Sequence, residues 1–245
     1  MRALATVKAI LEERLALMAP SRRLRLALAD EVLSEAAAGR PLRLLDAGCG
    51  DGLLSMALAK RHRDWTVLGV DQRADMLEGA RARARGRGIA NVDFEAADLT
   101  EPLPSGFDAV LAIECLHEIP DDRSALEAMS GALRPGGLLA LQVPERDWRP
   151  VLPGSSGIWR EEVRHGYGED ELAEMLRRAG LEPVAMRPTY RSLAAAAQEI
   201  RDRIKGTALP VRLLAFPFLA AAVRLERWGV TWGRPSAFLA LAHRT

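Results

Sequence analysis

The residues best spaced to do chemistry are four acids. Asp46 closes the short apolar run from Leu42, Asp71 closes Thr66 to Val70, Asp98 closes Val92 to Ala97, and Glu114 closes Phe107 to Ile113. After the first of them, in LLDAGCGDG, Gly48, Gly50 and Gly52 fall on alternate positions. Glycines that close admit positive φ and leave no Cβ between the backbone and a bound molecule. From Leu53 the pattern changes period, with Leu54, Ala57, Leu58 and Arg61 at helical spacing. The turn therefore feeds a helix N-terminus, whose unpaired N–H groups and positive dipole end favour a carboxylate or a phosphate.

The elements that would position these acids alternate along the chain. Strands at 66–70, 92–97, 107–113 and 138–143 are separated by helices from about Arg73 to Arg85 and from about Asp122 to Leu133, and Arg134 to Gly137 breaks the second helix. Such alternation predicts an α/β fold, a doubly wound parallel sheet of Rossmann-like form with helices on both faces. Parallel strands all point one way, so Asp46, Asp71, Asp98 and Glu114 converge on the edge where open α/β sheets bind ligands. The rival reading of any one acid is as the N-cap of the helix that follows it. Farther on, Glu169 to Ala179 reads as a helix ended by Gly180, Leu181 to Met186 as a strand, and Ser236 to His243 as an apolar strand.

LLDAGCGDG, then VLGVDQRADML, then Ala96 to Leu99 (AADL), then LRPGGLLAL resemble the successive motifs of class I S-adenosylmethionine-dependent methyltransferases. The likeness covers about Leu42 to Leu141, with a weaker echo at Tyr167 to Val184. It implies seven strands with an antiparallel seventh, and a helical insertion before that last strand. By the same resemblance the turn from Gly48 to Gly52 wraps the methionine end of S-adenosylmethionine, Asp71 takes the ribose hydroxyls, and Asp98 with the Leu99 backbone reads the adenine amine. Asp46, Cys49, Gln72, Met76 and Glu114 complete the expected cofactor contacts. Elementary chemistry agrees, because a ribose diol and an exocyclic amine are donors that ionised carboxylates accept.

Methyl transfer from a sulfonium needs alignment of the nucleophile more than covalent help. A general base matters where the acceptor must lose a proton early. The candidates are Glu114 and His117, in AIECLHEIP after the fourth strand, with His117 alternatively fixing its loop by hydrogen bonding. Glu114 also suits the cofactor's methionine ammonium or a substrate amine. In the loop from Pro144, rich in proline, glycine and tryptophan, Trp159, His165 and Tyr167 are the candidates for substrate contact. His62, His117, His165 and His243 are dispersed, and no metal-ligand spacing occurs, so no metal is expected.

With 245 residues, 49% of them hydrophobic, the chain is long enough for a single domain. Within it, 1–40 reads as N-terminal helices, 42–143 as the cofactor-binding core, and 144–168 and 189–233 as insertions on the substrate side or forming a lid. Leu4, Val7, Leu11, Leu15 and Met18 mark one helix, and Leu24, Leu28, Val32 and Leu33 a second with Ser21 as cap. The net charge of +1 offers no field for nucleic acid, so the expected partner is a small molecule. Two cysteines, Cys49 and Cys115, and an N-terminal pattern broken by charges favour a cytoplasmic protein. The apolar stretch 207–228 is too short to span a bilayer; it reads as a lid or homodimer contact, with a peripheral helix on an anionic membrane as the alternative.

Two competing functions frame this reading. A nicotinamide-dependent oxidoreductase also places an acid some 20 residues after a glycine turn, but its fingerprint wants glycine at position 53, which is Leu53. A catalytically silent cofactor-binding scaffold is the other.

Overall fold

Strands β1 (Arg43–Ala47), β2 (Thr66–Asp71), β3 (Val92–Ala96), β4 (Phe107–Ile113), β5 (Leu133–Pro144), β6 (Leu181–Thr189) and β7 (Ala237–Arg244) form one sheet in the order β3-β2-β1-β4-β5-β7-β6. The structure is a computed structural model and describes residues 20–154, 163–230 and 232–245. Strands β1 to β5 pair in parallel, and β7 runs antiparallel between β5 and β6. The expected seven-stranded architecture with its antiparallel last strand is therefore present.

Alternation along each strand sends side chains to both faces, and both are covered. Leu44, Ala109, Leu111, Ala140 and Leu241 pack against α1 (Pro20–Ala37) and α2 (Leu53–Arg61). Leu45, Val110, Leu139 and Ala242, one register step away, pack against α4 (Asp122–Ala132) and α5 (Glu169–Arg178). Helix α3 (Ala74–Gly86) closes the β3 side through Leu77, Ala80 and Ala84 around Phe94. The segment before β7 holds α6 (Ser192–Ile204) and α7 (Leu209–Arg227), which join α1 through Leu24, Tyr190, Ala194, Leu219 and Val223. The helical insertion thus rests on the helix that also roofs the sheet's C-terminal edge.

Several expected boundaries move. Arg134 to Gly137 does not precede β5 but lies within it: Phe107 pairs with Leu133 and Ala109 with Leu138, so the extra residues are taken up as an irregularity around Gly136, whose φ is +75°. Ser21, expected to cap α1, sits one residue inside it. The helix expected over Leu4 to Met18, and Trp159, lie outside the described residues. Among the described residues no helix is long and apolar enough to cross a membrane.

Candidate active site

The C-terminal edge of β1, β2 and β4 opens into a cavity of about 710 Å³, within the range of small-molecule sites. Its floor is the glycine turn. The amides of Gly48 and Cys49 both donate to the Val70 carbonyl, at 2.8 and 2.9 Å, folding the turn over the end of β2. Gly48 has φ +75°, and a Cβ on it would lie 2.7 Å from Cys115 Cβ, so the approach of β1 to β4 here requires glycine. Gly48, Cys49 and Gly50 line the cavity. Gly52 does not: it precedes α2, and its missing Cβ makes room for the Phe94 ring, whose Cε1 would lie 2.5 Å away.

Asp71 lines the cavity with Gln72 and Met76 and is 5% exposed. Its Oδ2 accepts the Gly50 amide at 2.8 Å, while Oδ1 accepts the Arg73 amide at 3.0 Å and Arg73 Nε at 3.2 Å. Asp98 and Leu99 stand on the next loop. Asp98 Oδ1 accepts the Thr100 amide and hydroxyl at 2.9 and 2.8 Å, bonds that hold its carboxyl below the usual carboxylate range and keep it ionised. Glu114 lines the cavity at the end of β4 with φ +56°, a conformation uncommon outside glycine.

Helix α1 supplies a wall that the strand-end acids do not predict. Arg22 grips Asp51 of the turn in a fork, Nη2 to Oδ2 at 2.8 Å and Nη1 to Oδ1 at 3.3 Å. One helical turn on, Arg25 pairs with Glu114 at 3.6 Å and donates from Nε to the Tyr190 hydroxyl at 2.9 Å, which in turn donates to the Ser21 carbonyl. Burial pushes the Tyr190 phenol up to about 12, so it stays a neutral donor. Arg22 and Arg25 at i and i+3 were the sequence signal for this wall, hidden in a stretch where Arg23 is an arginine too.

Five expected contacts do not reach the cavity. Asp46 is 2% exposed beneath the turn, where its Oδ2 accepts the Ser55 hydroxyl at 2.5 Å; burial pushes its pKa to about 6. It braces β1 against α2. His117 is buried and lines neither this cavity nor the smaller one described next; burial lowers its pKa, its carbonyl accepts the Val163 and Arg164 amides, and Nδ1 has no hydrogen bond among the described residues. The tie to the loop runs through its backbone carbonyl, not through Nδ1. Tyr167 is wholly buried and donates to Asp122 Oδ2 at 3.0 Å, locking its loop to α4. Gly52 is the fourth. His165 is the fifth; it lines neither cavity and stacks on Trp148, ring centroids 5.7 Å apart.

A smaller cavity of about 80 Å³ adjoins the main one, sharing Arg25 and Glu114 with it and continuing past Trp148, Tyr190, Gln198 and Glu199. Cys49 and Cys115 are free and buried, and burial pushes both thiols up, so neither is a thiolate nucleophile at neutral pH. Among the described residues no group of His, Cys, Asp and Glu is arranged to hold a metal.

A family profile described as a methyltransferase domain matches residues 40–180, the span that builds this edge. A trans-aconitate 2-methyltransferase of Rhodopseudomonas palustris is 32% identical over 195 residues, covering 74% of each chain. The chain belongs to the class I S-adenosylmethionine-dependent methyltransferases. S-adenosylmethionine is the cofactor of that family, and the site fits it: a glycine turn feeding a helix N-terminus for the carboxylate, and carboxylates for the hydroxyl and amine donors. A ubiquinone biosynthesis O-methyltransferase of Neisseria meningitidis serogroup C is 28% identical over 159 residues, 58% of this chain and 65% of that one. The chain spans less than two thirds of the length of such relatives. Among solved structures, the [4+2]-cyclase SpnF aligns with a TM-score of 0.64 and 24% identity over 91% of this chain and 82% of its own. That likeness shows the fold alone, and a fold of this kind hosts more than one chemistry.

Proposed function

We propose that this methyltransferase moves a methyl group from S-adenosylmethionine to a small-molecule acceptor, held where Glu114 and Arg25 face each other. The observation that carries the reading is the arc of cavity-lining groups from Gly48–Gly50 through Asp71 and Asp98 to Glu114. The turn and the start of α2 would take the amino-acid carboxylate, Asp71 the ribose diol, and Asp98 with the Leu99 backbone the adenine amine. Three hydrogen bonds already occupy the Asp71 carboxylate, against about four acceptor positions. Full engagement of a diol therefore requires the Arg73 guanidinium to release Oδ1. Bound there, the cofactor supplies an activated methyl group, and the chain's task is alignment. His117, buried and off the cavity, has no part in proton transfer, which leaves Glu114 as the carboxylate at the junction.

The acceptors in the relatives' names, a tricarboxylate and a quinone precursor, are both small molecules, which supports that substrate class over macromolecules. Two free buried thiols support a reducing compartment such as the cytoplasm. Turnover of methyl-labelled cofactor over a panel of hydroxyl, amine and carboxylate acceptors tests the reading. Tight binding of S-adenosylhomocysteine with no transfer to any acceptor would replace it with the scaffold reading.

A second reading concerns location. Val211, Leu214, Phe218, Leu225 and Trp228 are exposed on α7 and just past its end at spacings of three, four and seven, a stripe on the side away from buried Leu219 and Val223. We infer that this stripe lies on an anionic lipid surface, in preference to a lid or dimer contact. The only acid on α7, Glu226, is turned inward onto the Arg191 and Ala194 amides, while Arg224 is exposed beside the stripe.

A further inference from the structure

The smaller cavity carries an inference about the acceptor that rests on the proposed function and deepens it. Its polar groups divide into those already satisfied and those not. Glu199 accepts the Val151 and Leu152 amides on its two oxygens, at 2.8 and 2.9 Å. Ser236 donates from its hydroxyl to the Tyr190 carbonyl at 2.6 Å, and the Tyr190 hydroxyl is held between Arg25 and the Ser21 carbonyl. Arg25 is paired with Glu114. Two atoms are left over. Trp148 Nε1 and Gln198 Oε1 are both shielded from water and have no hydrogen-bond partner among the described residues. The orientation of the Gln198 amide is fixed by its own nitrogen, which donates to Asp202 Oδ2 at 2.9 Å, so the orphan is the oxygen.

An unpaired indole N–H and an unpaired amide oxygen are each costly when buried, and native proteins rarely leave such groups without a partner. The N–H needs an acceptor; the amide oxygen needs a donor. A hydroxyl is the smallest group that is both. A carboxylate satisfies only the first, and it would enter beside Glu114 and Glu199 with the single guanidinium already paired. An ammonium satisfies only the second. The volume of about 80 Å³ admits a group of a few heavy atoms, with the remainder of the molecule extending past Glu114 into the larger cavity.

We propose that this cavity anchors a neutral hydroxyl of the methyl acceptor between Trp148 Nε1 and Gln198 Oε1, and so selects alcoholic or phenolic acceptors over carboxylates and amines. An ordered water bridging the same two atoms is the rival occupant.

The test uses the full chain, isotopically labelled at the tryptophan indole nitrogens and saturated with S-adenosylhomocysteine, with the Trp148 resonance assigned by its loss in Trp148→Phe. Phenol, benzyl alcohol, benzoate and benzylamine are titrated in turn. The two hydroxyl probes are expected to shift the Trp148 indole N–H in a saturable way, and the two charged probes to bind at least about tenfold more weakly. Gln198→Leu should weaken phenol by about tenfold while leaving S-adenosylhomocysteine affinity unchanged, and Gln198→Met serves if the leucine variant does not fold. A Trp148 signal indifferent to all four probes, or benzoate binding as well as phenol, or phenol affinity unchanged in the Gln198 variants, would overturn the proposal. A protein that ignores S-adenosylhomocysteine sinks the proposed function itself, whereas one that binds it and fails with the hydroxyl probes sinks only this inference.

Discussion

The Gly50 amide donates to Asp71 Oδ2 at 2.8 Å, so the glycine turn after β1 is tied to the acid that ends β2. One carboxylate thus shapes the turn and faces the cavity. Asp71→Ala removes both functions, and we expect S-adenosylhomocysteine affinity to fall by about 1.5 to 3 kcal/mol, the usual worth of hydrogen bonds to a charged group. Asp71→Asn keeps an acceptor for the Gly50 amide and should lose less. Calorimetry on both variants checks this, and equal affinity in Asp71→Ala and the parent would take Asp71 out of the site.

Asp46 gives a pH dependence with a definite sign. Burial raises its folded-state pKa to about 6, above the unfolded value of 3.8, with the Ser55 hydrogen bond opposing the shift. Between those values the folded state holds a proton that the unfolded state has released, so this group's contribution is complete below about pH 4 and is lost as pH rises through 6. A shift of that size corresponds to about 3 kcal/mol. Asp46→Asn retains an acceptor for Ser55 and removes the buried charge. We expect its stability relative to the parent to climb between pH 4 and 7 and then level off. Urea unfolding at several pH values measures the difference, and a flat difference would show that Asp46 ionises without cost.

Much of this was legible in the residues. Parallel strands, their order of appearance and the acids at their ends follow from apolar runs alternating with helical periods, because a sheet covered on both faces leaves continuous hydrophobic strands. Asp71, Asp98 and Glu114 reach the cavity as their strand ends imply. Asp46 does not, since its neighbour Ser55 lies in the helix folded back over it, and no one-dimensional pattern shows which acid a returning helix will cover. His117 and Tyr167 carry the right chemistry at the right place in the chain and point into the core. Arg22 and Arg25 reach the site only because α1 is laid across the sheet edge, a tertiary placement that helical period alone does not encode.

The two cavity-lining glycines of the turn should fail in different ways. At Gly48 any side chain meets both a φ of +75° and Cys115 Cβ at 2.7 Å; at Gly50 the φ is +56° and the nearest atom is the flexible Arg73 Nη2 at 3.4 Å. The left-handed conformation costs alanine about 1 to 2 kcal/mol at either position, and the backbone-close clash is added only at Gly48. We expect Gly48→Ala to lose about 2 to 4 kcal/mol of stability, and Gly50→Ala to lose about 1 to 2 while weakening cofactor affinity through the cavity wall. Denaturant titration with parallel calorimetry separates the two, and equal destabilisation would mean that the contact with Cys115 is absent.

The stripe on α7 is the feature whose reading depends most on what covers it. Leu214, Phe218 and Trp228 are 73%, 72% and 75% exposed, which for large apolar side chains on one helix face leaves a contiguous unpartnered surface. A second copy of the chain would cover it at high protein concentration whatever the lipid. A membrane would cover it only where vesicles are present, and more strongly when they are anionic, because the exposed Arg224 stands beside the stripe. We expect co-sedimentation with phosphatidylcholine vesicles containing a quarter phosphatidylglycerol, weaker retention on pure phosphatidylcholine, and release by salt. Leu214→Ser with Phe218→Ser removes two buried-on-binding side chains worth about 1.5 to 3 kcal/mol each, so partitioning should fall by more than tenfold with S-adenosylhomocysteine affinity unaltered. Sedimentation equilibrium on the same proteins completes the comparison: a dimer that dissociates in the double variant, together with vesicles that never retain the parent chain, would assign the stripe to self-association.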